Sequence, residues 1–138
     1  MIRTSFEQLE KMEWVPRHFQ EKNGIKYGYE KAKDSQYTVK VDGTIIDFVR
    51  LPAGHTIPAH YHNKAEEVFV VVHGSATFQT RMNNVDKPTE TIVNAGDIFR
   101  IQATERHRTQ NRTSDYLYLV RFAKKEDNDN VHLELDVE

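Results

Sequence analysis

The sequence predicts an all-β protein, an antiparallel sandwich or barrel that is preceded by a short helix. Three observations favour this class. From about Gly24 onward the chain consists of short runs rich in Val, Ile, Tyr, Phe and Thr, the residue types that favour strands. Gly, Asn and Asp separate these runs, as they do in turns. No helical periodicity lies between the runs, which argues against alternating strands and helices.

The N-terminal segment, residues 1–23, is predicted to be helical. Ser5 and Gln8 have the spacing of a capping box, and the apolar residues that follow Ser5 recur at helical spacing. Pro16 is expected to end the helix, because proline disfavours the helical conformation in the residue before it.

Residues 24–124 are predicted to form the barrel. The candidate strands, in chain order, are Ile25–Tyr29, Tyr37–Val41, Thr44–Leu51, Thr56–His62, Glu67–His73, Ala76–Met82, Glu90–Val93, Ile98–Ile101, Arg106–Asn111 and Tyr116–Phe122. Asp42-Gly43 and Asn83-Asn84 lie between candidate strands and have the composition of tight hairpin turns.

The C-terminal residues 125–138 are predicted to be a polar linker followed by one more strand. Within Val131–Glu138, apolar and polar residues alternate strictly, which is typical of a half-buried strand. Such a strand suits either of two arrangements, packing on the edge of the barrel or exchange with a second subunit. The sequence leaves both open.

Composition limits the classes of function. The chain has 138 residues, enough for one domain with a core of its own. Its formal net charge is −2, so neither nucleic acid nor an anionic membrane is an expected partner. The sequence contains no cysteine, so any metal must be bound by histidine and carboxylate. No apolar segment has signal-peptide or transmembrane character, and we therefore expect a soluble, cytoplasmic protein.

The most informative stretch is AHYHNKAEEVFVVVHG, residues 59–74. On a strand, His60 and His62 project from the same face, and two neighbouring imidazoles can share a metal ion. Glu66 and Glu67 follow at the start of an apolar strand, where a carboxylate is costly to bury unless a cation or a hydrogen bond meets it. By themselves these residues do not decide which glutamate would be the ligand.

The spacing around this stretch resembles the first motif of the cupin family, G(X)5HXH(X)3–4E(X)6G. The residues at the matching positions are Gly54, His60, His62, Glu67 and Gly74.

The second cupin motif, G(X)5PXG(X)2H(X)3N, is approached by the stretch GDIFRIQATERHRTQN. Gly96, His107 and Asn111 stand at the expected offsets. Gln102 replaces the usual proline and Thr104 the usual glycine. These two departures predict a different backbone in the turn before His107.

The resemblance covers roughly residues 48–122 and implies a small, single jelly-roll barrel that holds one divalent metal ion. The four implied ligands are His60, His62, Glu67 and His107. It favours Glu67 over Glu66, because Glu66 would stand seven residues, not six, before the closing glycine of the first motif. Glu66 is then expected to be a solvated rim residue.

Three imidazoles and one carboxylate suit Fe, Mn, Ni, Co or Zn, and the ligand set alone does not select among these metals. The resemblance implies a metal-dependent enzyme acting on a small, anionic, oxygenated metabolite, with dioxygenase-type chemistry slightly favoured. One alternative is a metal-dependent isomerase, lyase or decarboxylase acting on a small sugar or keto acid. The other is a non-catalytic cupin that binds a metal or a ligand.

Other residues are candidates for contact with the substrate. Three arginines in or beside strand patterns are candidates for binding an anion, because a guanidinium is rarely buried without an anionic partner. These arginines are Arg50, Arg121 and Arg106. The candidates for a general acid or base are Tyr116, Tyr118, His73 and Glu66.

An apolar outer face predicts a partner subunit. Val68, Val70 and Val72 alternate with the face that carries Glu67, so they lie on the outside of the barrel. An apolar outer face is expected to be covered, either by the N-terminal segment or by a second subunit. Because cupins commonly pair through such sheets, a homodimer is predicted.

Overall fold

The computed structural model describes residues 3–33, 39–82, 87–124 and 131–133. Within these residues the chain forms one helix and twelve strands, so the predicted all-β class is confirmed. The elements are α1 Phe6–Lys11, β1 Trp14–Lys22, β2 Ile25–Ala32, β3 Val39–Val41, β4 Thr44–Leu51, β5 His55–His62, β6 Glu67–His73, β7 Ser75–Arg81, β8 Thr89–Asn94, β9 Ile98–Ile101, β10 Arg106–Gln110, β11 Leu117–Lys124 and β12 Val131–Leu133.

The predicted capping box holds the N-terminus of α1. Ser5 Oγ accepts a hydrogen bond from the Gln8 amide at 3.2 Å, and Gln8 Oε1 accepts one from the Ser5 amide at 2.7 Å. The helix ends at Lys11, so Pro16, five residues later, does not end it. In the described part of the chain no helix is long and apolar enough to cross a membrane.

Residues 14–22 form a strand, although the sequence pattern predicts a helical segment up to residue 23. This strand, β1, pairs with β2 as an antiparallel hairpin, and the turn residues Asn23 and Gly24 have φ values of 53° and 77°. Most of β1 is exposed, and its register shifts between Arg17 and Gln20. A strand with no buried face and an interrupting bulge lacks the alternation by which strands are recognised in a sequence.

The strands form one curled sheet in the order β8-β7-β10-β5-β2-β4-β11-β6-β9, while β1, β3 and β12 pair with β2, β4 and β5. The pairs are antiparallel except for β2 and β5, which run parallel, so the expectation of a purely antiparallel barrel is corrected there. His107 of β10 contacts Glu67 of β6 although four strands separate them in the sheet. The sheet must therefore curl on itself, which gives the half-barrel expected of a jelly roll.

The predicted strands from β4 to β11 are all present, with ends that move by at most two residues. The Asp42-Gly43 turn is also found, with φ values of 49° and 76°. Several predictions lie outside the described residues. These are the first part of the Tyr37–Val41 strand, the Asn83-Asn84 turn, the linker at 125–130 and residues 134–138.

Alternate side chains of β6 face the inside and the outside of the half-barrel. Glu67, Phe69 and Val71 are buried, whereas Val68 and Val70 on the opposite face are half-buried. Phe69 and Val71 belong to the hydrophobic core. Its other buried members are Val49, Leu51, Ala76, Phe78, Val93, Ile101, Leu117 and Leu119.

The N-terminal segment covers one end of the outer face. The Phe6 ring stacks on His73 with the ring centroids 4.7 Å apart, and Trp14 meets Tyr118 edge-on at 5.8 Å. Trp14 Nε1 also donates to the Leu9 carbonyl at 2.9 Å, which ties the strand to the helix.

Strand β12 pairs with β5 of the same chain. The partners in register are Val131 with His62, His132 with Tyr61, and Leu133 with His60. This pairing is an added strand at the barrel, and whether the strand exchanges with a second subunit stays a prediction.

Candidate metal centre

A bulge in β5 sets which of its side chains point inwards. His60 pairs with His107 of β10, whereas Ile57 pairs with Thr109, so one extra residue lies on the β5 side. Pro58, which has no amide to donate to the ladder, lies inside this bulge. The bulge puts Ile57 and His60 on the cavity side together, and the second histidine of the His-x-His pair follows on the same face.

The curl of the sheet brings Glu67 from β6 against the histidines of β5 and β10. Glu67 Oε1 lies 3.2 Å from His62 Nε2 and 3.6 Å from His107 Nε2. The rings of His60 and His107 lie 4.0 Å apart between centroids. Ligand atoms of His60, His62 and Glu67 lie within 4.8 Å of one another. The four side chains predicted as ligands thus form one cluster.

Backbone carbonyls orient two of the histidines. His60 Nδ1 lies 2.9 Å from the Pro58 carbonyl oxygen, and His107 Nδ1 lies 3.0 Å from the Glu105 carbonyl oxygen. Because a carbonyl oxygen only accepts, Nδ1 carries a proton in each ring and Nε2 is the nitrogen left for a metal. This is the arrangement by which proteins orient metal-binding histidines.

Two buried polar atoms of the cluster face each other without a hydrogen bond. Glu67 and His107 are each 3% exposed, and neither Glu67 Oε1 nor His107 Nε2 has a hydrogen-bond partner among the described residues. A buried polar group left unsatisfied costs about 1–3 kcal/mol. A proton or a metal cation bound between the two atoms would remove that cost. The donor set of three imidazoles and one carboxylate therefore fits the divalent metal that the family resemblance implies.

Burial and neighbouring charges set the protonation of the cluster. Burial, and then the adjacent His107, lowers the pKa of His60 to about 4, so this ring is neutral at pH 7 and available to a metal. Burial alone would raise the pKa of Glu67. The nitrogens of His107 and His62, when one of them carries a proton towards the carboxylate, outweigh burial and hold the pKa of Glu67 below its usual range, so the carboxyl group is ionised.

The cluster opens onto a cavity of about 60 Å³. Sites for small molecules have apolar walls with a few polar groups. The apolar lining consists of Val49, Ile57, Phe69, Phe78 and Leu119. The polar lining outside the cluster consists of Tyr29, Lys31, Thr109 and Arg121. This cavity thus has the lining of a small-molecule site.

A row of alternating charges leads from the cluster across the inner face of the sheet. Arg121 Nη1 donates to Glu67 Oε2 at 3.3 Å, and Arg121 Nε and Nη2 donate to the two carboxylate oxygens of Asp47 at 2.9 and 2.8 Å. Lys31 Nζ lies 3.4 Å from Asp47 Oδ2. The row therefore gives the two oxygens of Glu67 separate roles, since Oε2 binds Arg121 while Oε1 faces the imidazoles.

The loop of the second motif supports the cluster from behind. Thr104, where the motif has glycine, has a φ of 67°, and its amide donates to the His62 carbonyl at 2.7 Å. Threonine here adopts the left-handed conformation that favours glycine. Asn111 is 1% exposed, and its amide nitrogen donates to the carbonyls of Leu51 and Asp115 at 3.0 and 2.7 Å.

One of the three candidate arginines lies at the cavity. Arg121 lines it. Arg50 lies on the outer face, where it binds Glu30 and stacks on aromatic rings. Arg106 lies over the ring of Tyr61 at 5.0 Å and does not line the cavity.

None of the four acid–base candidates lines the cavity. They are Tyr116, Tyr118, His73 and Glu66. Both tyrosines lie against Arg50 on the outer face, and His73 Nε2 lies 2.8 Å from Asp115 Oδ2. Glu66 is exposed, as expected for a rim residue.

Four polar residues of the cavity wall and charge row were not among the candidates, namely Tyr29, Lys31, Thr109 and Asp47. The sequence does contain a pattern that could have identified Asp47, because a carboxylate inside the apolar run TIIDFVRL needs a partner. Lys31 lies beyond the predicted end of its strand at Tyr29, so its inward position was hidden.

Comparison with known proteins identifies the fold family. A family model of the cupin domain matches residues 47–121, whereas no curated protein matches the chain. A putative sugar phosphate isomerase from Acidithiobacillus ferrooxidans is similar in structure, with a TM-score of 0.69 and 16% identity over 95% of this chain and 80% of that one. A sugar phosphate isomerase of the cupin superfamily from Silicibacter pomeroyi has a TM-score of 0.67 and 15% identity, over 91% of this chain and 79% of that one. An oxalate oxidase has a TM-score of 0.57 and 23% identity, over 66% of this chain and 46% of that one.

At these identities the solved structures show similarity of fold alone. The family model covers more than half of the chain, and the matched region contains the whole ligand cluster. This protein therefore belongs to the cupin family.

Proposed function

We propose that this cupin is a metal-dependent enzyme that acts on a small, anionic, oxygenated metabolite. The observation that carries the proposal is the cluster of His60, His62, Glu67 and His107, whose unsatisfied buried atoms lie beside a cavity. Protein interiors are close-packed, so a cavity beside such a cluster favours a role in binding.

The surroundings of the cluster suit metal-assisted chemistry. A divalent metal, when bound, supplies Lewis acidity that polarises a substrate oxygen, or redox chemistry with dioxygen. The chain's own residues prepare the site for it. Arg121 holds Glu67 Oε2 so that Oε1 faces the cluster, and the apolar walls limit access of water to the substrate.

The charge of the cavity supports an anionic substrate. Two cations, Lys31 and Arg121, alternate with two anions, Asp47 and Glu67, so the row itself is neutral. A divalent metal would leave an excess of positive charge in a poorly solvated cavity. An anionic, oxygen-rich molecule would offset that charge.

Two reaction classes are candidates. Dioxygenase-type chemistry is the one that the sequence favours slightly. Isomerase, lyase or decarboxylase chemistry on a small sugar or keto acid gains support from Tyr29 and Lys31 in the cavity wall, because such reactions need a group that moves a proton. Burial, and then the charge of Arg121, lowers the pKa of Lys31 and so brings it closer to that role. The proteins of similar fold include two named as sugar phosphate isomerases and one named as an oxalate oxidase, an enzyme that uses dioxygen.

Metal content tests the proposal directly. Protein purified without a chelating tag should bind one equivalent of divalent metal, measured by elemental analysis. His60→Ala and His107→Ala should lose the metal, whereas His55→Ala, on the same strand as His60 but outside the cluster, should keep it. Equal metal content in all variants would contradict the proposal.

Turnover separates the reaction classes. Oxygen consumption that depends on Fe(II) and on a small organic acid would indicate a dioxygenase. Conversion of a sugar phosphate or keto acid without oxygen would indicate the second class. A tightly bound metal with no turnover of either substrate class would indicate a non-catalytic binding protein.

We also propose that two copies pair through the outer face of β6 and β9. Val68 and Val70 are half-buried there, and Ile98, the register partner of Val70, is 70% exposed. Ile98→Lys should convert a dimer to a monomer in light scattering. Ile92→Lys is the matched control, since Ile92 is 65% exposed on β8 at the other edge of the sheet. The cytoplasmic location stays a prediction from the sequence.

A further inference from the structure

We infer that Lys31 binds the second anionic group of the substrate, and that Arg121 instead positions the metal-binding carboxylate. This inference rests on the proposed function, because it concerns the same cavity. It narrows the substrate class to acids that chelate a metal through oxygen atoms at one end and carry a further anionic group some atoms away.

Arg121 has little capacity left for a substrate. Its Nε and Nη2 form the paired hydrogen bonds with Asp47, and its Nη1 binds Glu67 Oε2. A guanidinium recognises a carboxylate best through two parallel N–H bonds, and Asp47 already occupies that edge. Arg121 is therefore a positioning residue, which acts through the orientation of Glu67.

Lys31 is differently placed. Its ammonium group has three donors, and its salt-bridge partner in the described ranges is Asp47, whose Oδ2 lies 3.4 Å from Nζ. That contact is longer than the about 2.7–2.9 Å of a strong charged hydrogen bond. The side chain is 28% exposed and lines the cavity, so Nζ can reach a bound molecule. A half-buried ammonium with donors to spare favours an anion as its further partner.

Tyr29 adds a second donor beside Lys31. The two residues stand two positions apart on β2, so their side chains share the inner face, and both line the cavity. Burial raises the pKa of the Tyr29 phenol, which keeps its proton available for donation. Lys31 and Tyr29 together offer one charged and one neutral hydrogen-bond donor to an anion in the cavity.

The position of Lys31 in the sheet places it beside the cluster. Lys31 stands on β2, whose direct neighbour β5 carries His60 and His62, whereas β4 and β11 separate β2 from Glu67 on β6. Neighbouring strands lie about 4.8 Å apart, so Lys31 lies one strand spacing from β5 and three from β6. A hydroxy diacid offers Lys31 a second carboxylate that glycolate lacks, and a series of diacids measures the separation that fits.

The test uses Co(II)-loaded protein, because the visible spectrum of Co(II) reports ligand binding without any need for turnover. The probes are glycolate, which has only the chelating end, and malate, 2-hydroxyglutarate and 2-hydroxyadipate, which carry a second carboxylate at increasing distances. At least one diacid should bind wild-type protein about 10-fold to 100-fold more tightly than glycolate, the range expected for a hydrogen bond to a charged group.

Substitutions at Lys31 should remove that gain selectively. Lys31→Met should bind all the diacids no more tightly than glycolate, with unchanged Co(II) content and unchanged affinity for glycolate. Lys31→Arg, which keeps the charge, should recover part of the gain. Lys26→Met should behave as wild type, because Lys26 is exposed on the opposite face of the same strand.

The possible failures are distinguishable. If Lys31→Met keeps the full preference for a diacid, or loses its Co(II), the inference about Lys31 is overturned while the metal-dependent function stands. If wild-type protein binds no Co(II), or no acid changes the Co(II) spectrum, both the proposed function and this inference are overturned.

Discussion

Thr104 offers a sharp test of how the second-motif loop supports the metal centre. Its φ of 67° lies in the left-handed region, where a side chain on Cβ crowds the following carbonyl oxygen. Threonine is β-branched, which adds to the crowding. The residue is held there because its amide donates to the His62 carbonyl at 2.7 Å, next to a ligand of the cluster. Thr104→Gly removes the crowding and keeps the amide.

The expected gain follows from two opposing terms. The left-handed conformation costs an ordinary residue about 1–2 kcal/mol. Glycine loses more conformational freedom on folding, which takes back about 0.5–1 kcal/mol. The net stabilisation should be about 1 kcal/mol, equivalent to a rise in Tm of about 3–5 °C for a domain of this size.

Thermal unfolding and urea titration of the metal-free protein measure this gain. Asn23→Gly is the matched control, since Asn23 has a similar φ of 53° but asparagine tolerates this region, so its gain should be close to zero. If Thr104→Gly is no more stable than wild type, the strain assigned to Thr104 is refuted. An equal gain in the control would show that the gain does not come from the β-branched side chain.

Three further predictions follow from the same structure. Asp47→Asn should weaken metal affinity about 10-fold to 100-fold in a chelator competition, because Arg121 would lose the partner that holds it against Glu67. Glu66→Gln, on the exposed rim, should bind the metal as wild type does. An equal loss of affinity in Glu66→Gln would contradict this reasoning. The free energy of unfolding of the metal-free protein should fall as pH drops from about 6.5 to 4. The pKa of His60 is about 4 in the folded state and about 6.5 in the unfolded state, so the unfolded state binds more protons in that window. His60→Gln should flatten this part of the pH profile, and an unchanged slope would contradict the role assigned to His60. Gly74→Ala should destabilise the protein by at least about 2 kcal/mol, because the new Cβ would lie 2.5 Å from the Tyr116 carbonyl oxygen at a φ of 87°; Gly54→Ala, at a φ of 76° in open space, should cost less in the same thermal unfolding assay.

Local sequence determined the elements and the positions of the ligands along them. The Ser5–Gln8 spacing predicts the capping box, and the alternation in β6 predicts that Glu67 faces inwards. The two motifs select His60, His62, Glu67 and His107, which lie together in the folded chain. These features are readable because a helix cap, a strand face and a motif each depend on residues a few positions apart.

Only the tertiary structure decided which charges enter the cavity. Arg50 and Arg121 both stand in apolar strands, yet Arg50 faces outwards and Arg121 inwards, because the register of β4 against β11 pairs Arg50 with Tyr118 and Arg121 with Asp47. The bulge in β5 and the exposed strand β1 likewise depend on partners elsewhere in the chain. The row from Lys31 through Asp47 and Arg121 to Glu67 joins four strands that are distant in sequence, and no pattern within any one of them encodes the register that aligns their charges.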